Sequence, residues 1–277
     1  MKHWKDWNIK LKIGIIILII FVLLGFIGPL LSDGRVTELS RYMNNLKPSK
    51  DHILGTTGQG QDTFFLLCYS IRNSFLLGIC VAIGATFIGV LAGLLAGFLG
   101  GLPDRIIMLI ADAFIVIPSL PILILLSALT KGKGSLVMVG VVLIVFNWPW
   151  PARQVRSLAL TMKERDFINT ARFSGESTLS ILGKEIFPFV KDWSFGNLIN
   201  TVLVAISSES GLAVIGMSSS TTATLGNMIY WAIQHQALLG RRWLWIGSPV
   251  LSIILIFIGL YLFMTGQQEY SALRRGK

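Results

Sequence analysis

The sequence predicts an all-α membrane protein with six transmembrane helices, and three observations carry that reading. Hydrophobic residues make up 53% of the chain and charged residues only 14%, with a mean hydropathy of +0.69. A soluble globular domain carries about 25% charged residues. The charges lie between long apolar runs, and six of those runs approach the ~20 residues that a helix needs to cross a bilayer. The formal charge of +10 is therefore no nucleic-acid footprint. Lys and Arg concentrate in the connecting segments, where they set topology and meet anionic lipid.

The predicted spans are 13–31, 75–100, 106–129, 136–158, 193–217 and 243–265. They leave a short N-terminal segment (1–12), a first helix (13–31), a loop and pre-helix segment (32–74), a five-helix core (75–265) and a tail (266–277). The core is interrupted by a long polar connection at about 157–191. The first span is longer than the ~7–15 residues of a signal-peptide core and no A-x-A site follows, so it reads as a retained anchor. Basic residues set the orientation. Lys2, Lys5, Lys10 and Lys12, the 157–191 connection, and Arg274, Arg275 and Lys277 place both termini in the cytoplasm. Segments 32–74 and 218–242 then lie outside. Within the latter, the stretch from Leu225 to Gln234 has the composition of a short amphipathic helix at the membrane surface. No internal repeat is visible, which argues against an inverted-repeat secondary transporter.

Several features bear on mechanism. Ala85, Gly89, Gly93, Gly97 and Gly101 recur every four residues, a small-residue face on which another helix backbone can approach closely. Trp148, Pro149 and Pro151 interrupt the fourth span. Each proline removes an N–H, and the kink either packs against protein or lines a pathway. Glu209, flanked by Ser207 and Ser208, is an intramembrane carboxylate and a candidate for the translocation path, whereas Asp112, near a helix end, caps or pairs. Tyr230, Trp231, Trp243 and Trp245 cluster in the outer segment, either as an interfacial belt or as an outer mouth whose rings stack on a solute. Cys68 and Cys80 read as small apolar residues, and His3, His52 and His235 as solvated side chains, so neither a disulfide nor a metal site is expected. No catalytic constellation of the H-E-x-x-H or G-x-S-x-G kind is present.

In the polar connection, Ala171 and Gly175 are four residues apart. On a helix they share a face, and small side chains there would let the helix seat in a groove on another protein. Asn169, Thr170, Ala171, Gly175, Ile186, Phe187 and Pro188 resemble the EAA loop of binding-protein-dependent ABC permeases, whose pattern is E-A-A-x3-G followed in the peptide-importer branch by x10-I-L-P. Asn169 and Thr170 depart from it. The similarity extends along the chain to the C subunit of dipeptide/oligopeptide permeases. It includes Pro48, His52, Leu54, Gly55 and Thr56; Gly60 and Asp62; Arg72 and Ser74; the Ala96 to Gly101 stretch; Asp112, Pro118, Ser119 and Leu120; and Trp148, Pro149, Ala152 and Arg153. Gln61 and Leu109 stand where that family usually has Arg, and the stretch 218–226 replaces its P-P-T-P-E-W-G.

The resemblance implies a type I ABC importer permease-like fold with a cytoplasmic coupling helix, in a prokaryotic plasma membrane. Its implied partners are a second, homologous permease, two cytoplasmic ATPases, an extracellular solute-binding protein and membrane lipid. The chain has no G-x-x-x-x-G-K-[ST] phosphate loop, so ATP and Mg are expected on the ATPases, with no cofactor and no enzyme activity here. The expected solute is an oligopeptide, or alternatively an oligosaccharide on the same architecture. An ion-coupled secondary transporter, with Glu209 as its coupling group, is the alternative class.

Overall fold

The computed structural model describes residues 7–35, 37–129, 135–218 and 222–275, with side chains through 270. Lys2, His3, Lys5 and Lys277, the side chains of Arg274 and Arg275, and residues 219–221 of the outer Ser/Thr run lie outside the described residues. The helices are α1 (Ile9–Ile27, continued by a 3-10 turn, Gly28–Leu31), α2 (Thr63–Leu99), α3 (Gly101–Val116), α4 (Ser119–Leu129), α5 (Leu136–Asn147) and α6 (Pro149–Lys163). They continue as α7 (Asp166–Phe173), α8 (Thr178–Ser180), a π-helical turn (Ile181–Ile186), α9 (Phe187–Val214), α10 (Leu225–Gln234) and α11 (Trp243–Arg275). Among the described residues no strand forms; the one isolated bridge joins Thr56 and Asp62. Among the described residues five helical stretches are long and apolar enough to span a membrane, or six if the bent pair α3–α4 is one span.

Two predicted spans are corrected. The span predicted at 106–129 is two helices bent by 71°. Ile117, which precedes Pro118, is extended (ψ 117°), because a residue before proline clashes in the helical region. The span predicted at 193–217 is part of a continuous helical run, Thr178–Val214. Ile186, Phe187 and Pro188 therefore lie inside that run. Pro188 is the second residue of α9, where the π turn has already shifted the hydrogen-bond register. At the α5–α6 junction the prolines leave no gap. Trp148 keeps helical dihedrals, its N–H donates to Ile144 O at 3.2 Å, and Ala152 N–H donates to Trp148 O at 3.2 Å. Pro149 occupies the first-turn position of α6, where proline's fixed φ suits the helix.

The chain forms two compact units, each assembled from separated segments. In the unit of residues 79–122 and 140–202, α2 packs on α6 through glycine. A Cβ at Gly89 would stand 2.5 Å from Pro151, and one at Gly97 would stand 2.7 Å from Arg156 O. Gly93 faces Ala152 O and Val155 in the same way. Gly101 is a correction to that stripe. With Gly100 it takes positive φ (69° and 59°) and turns the chain into α3, and nothing lies within 4 Å of its Cβ position. Arg156 donates to Asp104 at 2.7 Å, and Arg153 pairs with Asp112, joining α6 to α3. Asn197 on α9 donates to Thr86 on α2 at 3.1 Å.

In the unit of residues 1–78, 123–139 and 203–277, α1 and α11 run antiparallel with their backbones close. A Cβ at Gly14 would meet Phe263 N at 2.6 Å, and one at Gly266 would meet Leu11 N at 2.5 Å. Asn8 and Lys10 both pair with Glu269, so the start of α1 and the last turns of α11 share one end. Residues 37–62 form an ordered segment. His52 Nδ1 and Asp62 Oδ2 are 2.7 Å apart, and Asp62 Oδ1 accepts from Phe65 N at 3.0 Å, capping α2. Gln61 Nε2 donates to Thr37 O at 2.6 Å.

Gly93→Ala should lower stability by about 1–3 kcal/mol, since the new methyl has no room beside the Ala152 carbonyl. Gly211→Ala, with nothing within 4 Å, should be neutral or stabilising. Thermal melts of both variants in one detergent check this.

Candidate functional site

The polar connection is built as a braced ridge. Ile168 and Ala171 on α7 are buried in a cluster with Phe98 of α2, Val155 of α6, Leu182 and Ile186 of the π turn, and Val190 of α9. The guanidinium of Arg172 lies 4.8 Å from the centre of the Phe98 ring, a cation–π contact. Just beyond α7, Gly175 has a φ of 79° that lets its N–H reach Arg172 O at 3.0 Å and Glu176 N–H reach Ala171 O at 3.2 Å, a left-handed helix stop.

The expectation of a small-residue docking face is corrected here. Ala171 points into the chain's own core, and Gly175 lies beyond the helix. Ile186 is also fully buried, whereas Asn169, Thr170 and Pro188 are exposed. The outward ridge instead carries Asn169, Thr170 and Phe173, the last 92% exposed, with Leu179 nearby in sequence and also exposed. Phe173 was missed by the sequence reading. Its signal was a large aromatic in a short helix whose burial is already supplied by Ile168 and Ala171.

The proposed path residues fall in different compact units. Trp148 and Pro149 belong to one compact unit, and Ser207, Ser208 and Glu209 to the other. Trp148 is half-buried, with Phe114 edge-on at 6.3 Å, and Pro149 is buried. Ser207 and Ser208 are half-buried, and the Ser207 hydroxyl donates to Leu203 O at 2.8 Å. Glu209 is fully enclosed, so within this chain it does not face an open passage. Its Oε1 accepts from Ser218 Oγ at 2.9 Å and from Thr224 Oγ1 at 2.8 Å. Thr224 also caps α10 by accepting from Asn227 N at 3.1 Å. Asn73 Nδ2 donates to Ala223 O at 2.7 Å, and Leu225 N–H donates to Ser74 Oγ at 3.1 Å. The carboxylate, Asn73 and Ser74 together hold the start of α10.

The aromatic residues divide between two clefts. Tyr230 and Trp231 are edge-on at 5.1 Å, Trp231 and His235 are 5.9 Å apart, and His235 and Trp245 are 5.5 Å apart. Trp231 and Trp245 line a cavity of about 360 Å³. Trp243 is 62% exposed and lines a different cleft of about 640 Å³ beside Lys47 and Arg241. Trp245, only 2% exposed, borders both clefts. Arg242 sits over its ring at 5.6 Å and donates to His235 O at 2.6 Å. Among the described residues no group of three or more His, Cys, Asp or Glu side chains is placed to hold a metal ion.

The family described as "Binding-protein-dependent transport system inner membrane component" matches residues 89–277, and the chain belongs to it. It is 31% identical over 66% of its length to the oligopeptide transport system permease protein OppC of Mycobacterium tuberculosis (strain ATCC 25618 / H37Rv). It is 34% identical over 74% of its length to the dipeptide transport system permease protein DppC of Bacillus subtilis (strain 168), and 27% identical over 88% of its length to OppC of Lactococcus lactis subsp. lactis (strain IL1403). The match spans 63% of the first two relatives and 85% of the third. A chain of the inward-facing MetNI methionine ABC transporter shares the fold with a TM-score of 0.57 at 18% identity, covering 75% of this chain and 96% of that one. The predicted fold class and the resemblance to peptide-importer permeases are therefore supported.

Glu209→Leu should destabilise the protein by about 1–3 kcal/mol for each orphaned hydroxyl, and Glu209→Gln, which keeps an acceptor oxygen, by less. Thermal melts and protease sensitivity near residues 215–225 check this.

Proposed function

We propose that this chain is one transmembrane permease subunit of an ATP-driven importer for oligopeptides and forms half of the translocation path. The observation that carries the reading is the outward ridge of α7, with Phe173 exposed and its base locked into α2, α6 and α9. An exposed aromatic on a braced helix is suited to insert in a cleft of another protein. Because Ile168 and Ala171 are anchored in the same cluster as Phe98, Val155 and Val190, a push on the ridge moves those helices instead of bending a loop. In this reading two cytoplasmic ATPases bind ATP and Mg and seat the ridges of this chain and a second, homologous permease. An extracellular binding protein delivers the solute. The whole resides in a prokaryotic plasma membrane, with no nucleic acid as partner.

The names of the similar permeases from Mycobacterium, Lactococcus and Bacillus support a peptide solute. An oligosaccharide is the second reading, favoured by the two indoles of the 360 Å³ cavity. A gradient-driven secondary transporter is disfavoured, since Glu209 is enclosed and its Oε1 already holds two hydroxyls. The pairing of Asn8 and Lys10 with Glu269 is consistent with both termini on the cytoplasmic side.

Phe173→Glu should abolish transport-coupled ATP hydrolysis while leaving membrane insertion and the thermal melt unchanged, because the side chain contributes little to the chain's own core. Normal coupled turnover in reconstituted vesicles would refute the ridge. In a cysteine-free background, Leu239→Cys should react with an impermeant maleimide in intact cells, and Phe173→Cys only after the cells are opened. The reverse pattern would invert the topology.

A further inference from the structure

The cavity of about 360 Å³ lies within the unit of residues 1–78, 123–139 and 203–277, where residues of the 37–62 segment, the first turns of α2 and α10 come together. None of its lining side chains is ionisable. Two of them carry a buried polar atom without a hydrogen-bond partner: Ser70 Oγ and Trp245 Nε1. Ser70 is fully buried and Trp245 is 2% exposed. Unpartnered buried polar groups are uncommon and call for an explanation. An indole N–H can only donate, and a hydroxyl can donate or accept, so the missing partner must bring acceptor oxygens. Around these two atoms the wall is fixed. The Asn227 carboxamide donates to Thr222 O at 3.0 Å and the Gln61 carboxamide to Thr37 O. The half-buried Trp231 supplies an aromatic surface, and Leu66 an apolar one.

We propose that this cavity binds an uncharged ligand rich in hydrogen-bond acceptors, about the size of a disaccharide or of a dipeptide with both ends blocked. Hydroxyl or amide carbonyl oxygens would take the Trp245 N–H and the Ser70 hydroxyl, and an apolar edge would rest on Trp231. Free peptide termini are excluded by the same wall, since a carboxylate or ammonium taken out of water without a charged partner is costly. The site lies inside one chain and its occupancy is an equilibrium property. It stands or falls separately from the transport reading.

The test is titration of the purified full-length chain in lipid nanodiscs, by calorimetry and tryptophan fluorescence, with cellobiose, N-acetyl-alanyl-alanine amide and unblocked dialanine as probes. Saturable binding of either neutral probe is expected, with dialanine roughly tenfold weaker or more. Preference for cellobiose identifies a saccharide, and preference for the blocked amide identifies a peptide backbone. Trp245→Phe keeps the ring and removes the donor, and it should weaken binding roughly three- to tenfold; Ser70→Ala should do the same. Leu39→Trp, at the exposed rim, should obstruct access. If Trp245→Phe melts early, the other two variants carry the comparison. The proposal is overturned if neither neutral probe binds saturably at millimolar concentration, if dialanine binds equally well, or if all properly folded variants bind as the parent does.

Discussion

Close backbone contact between helices is the constraint on which the rest of the molecule depends. Inside a bilayer there is no hydrophobic gain in pressing one apolar helix against another, so association relies on van der Waals contact and on hydrogen bonds between helices. The chain meets that demand with glycine. Gly89, Gly93 and Gly97 let α2 lie against the backbone of α6, and Gly14, Gly259 and Gly266 do the same for α1 and α11. Even one methyl group would collide with backbone atoms at Gly14, Gly89, Gly93, Gly97 and Gly266, and with the Ile17 side chain at Gly259. The ion pairs of Asp104 with Arg156 and Asp112 with Arg153, together with the Asn197 to Thr86 hydrogen bond, then add partners that fix the register.

From that packing follows the stiffness of the α7 ridge. Phe98, near the end of α2, and Val155, on the glycine-packed face of α6, belong to the cluster that receives Ile168 and Ala171. Shifting α7 therefore means shifting well-packed helices. The π turn at Ile181–Ile186 brings Leu182 and Ile186 into the same cluster, and the helix continues without a break to Val214. That helical run, Thr178–Val214, has 37 residues and is about 55 Å long at 1.5 Å per residue.

A second arrangement of the same economy surrounds Glu209. A carboxylate in an apolar span reads naturally as a path group, yet here it serves structure. One oxygen ties Ser218 and Thr224, and Thr224 caps α10. Ser74 and Asn73 complete the hold from α2. The departure of this stretch from the pattern usual in the family is thus accompanied by hydroxyls that use the buried acid.

Much of the architecture was determined by the sequence alone. Hydropathy and length define the spans because a backbone in lipid must satisfy its own hydrogen bonds. The four-residue spacing of Gly89, Gly93 and Gly97 marks a contact face because that spacing returns to one side of a helix. The spacing of Ala171, Gly175, Ile186 and Pro188 located the ridge and the family. Tertiary structure decided the roles. Which face of α7 points outward depends on the side occupied by Phe98 and Val155, residues distant in the chain, and that turned Ala171 inward and left Phe173 outside. Whether a span stays continuous depends on whether proline falls in a first turn, as Pro149 does, or forces an extended residue before it, as Pro118 does. Whether an acid or an indole is available to a ligand depends on which groups from other segments reach it first. Ser218 and Thr224 reached Glu209 Oε1, whereas Glu209 Oε2 and the indole nitrogen of Trp245 were left without a partner. Local periodicity specifies what each helix needs to bury, but only the assembled set of helices specifies what is left over.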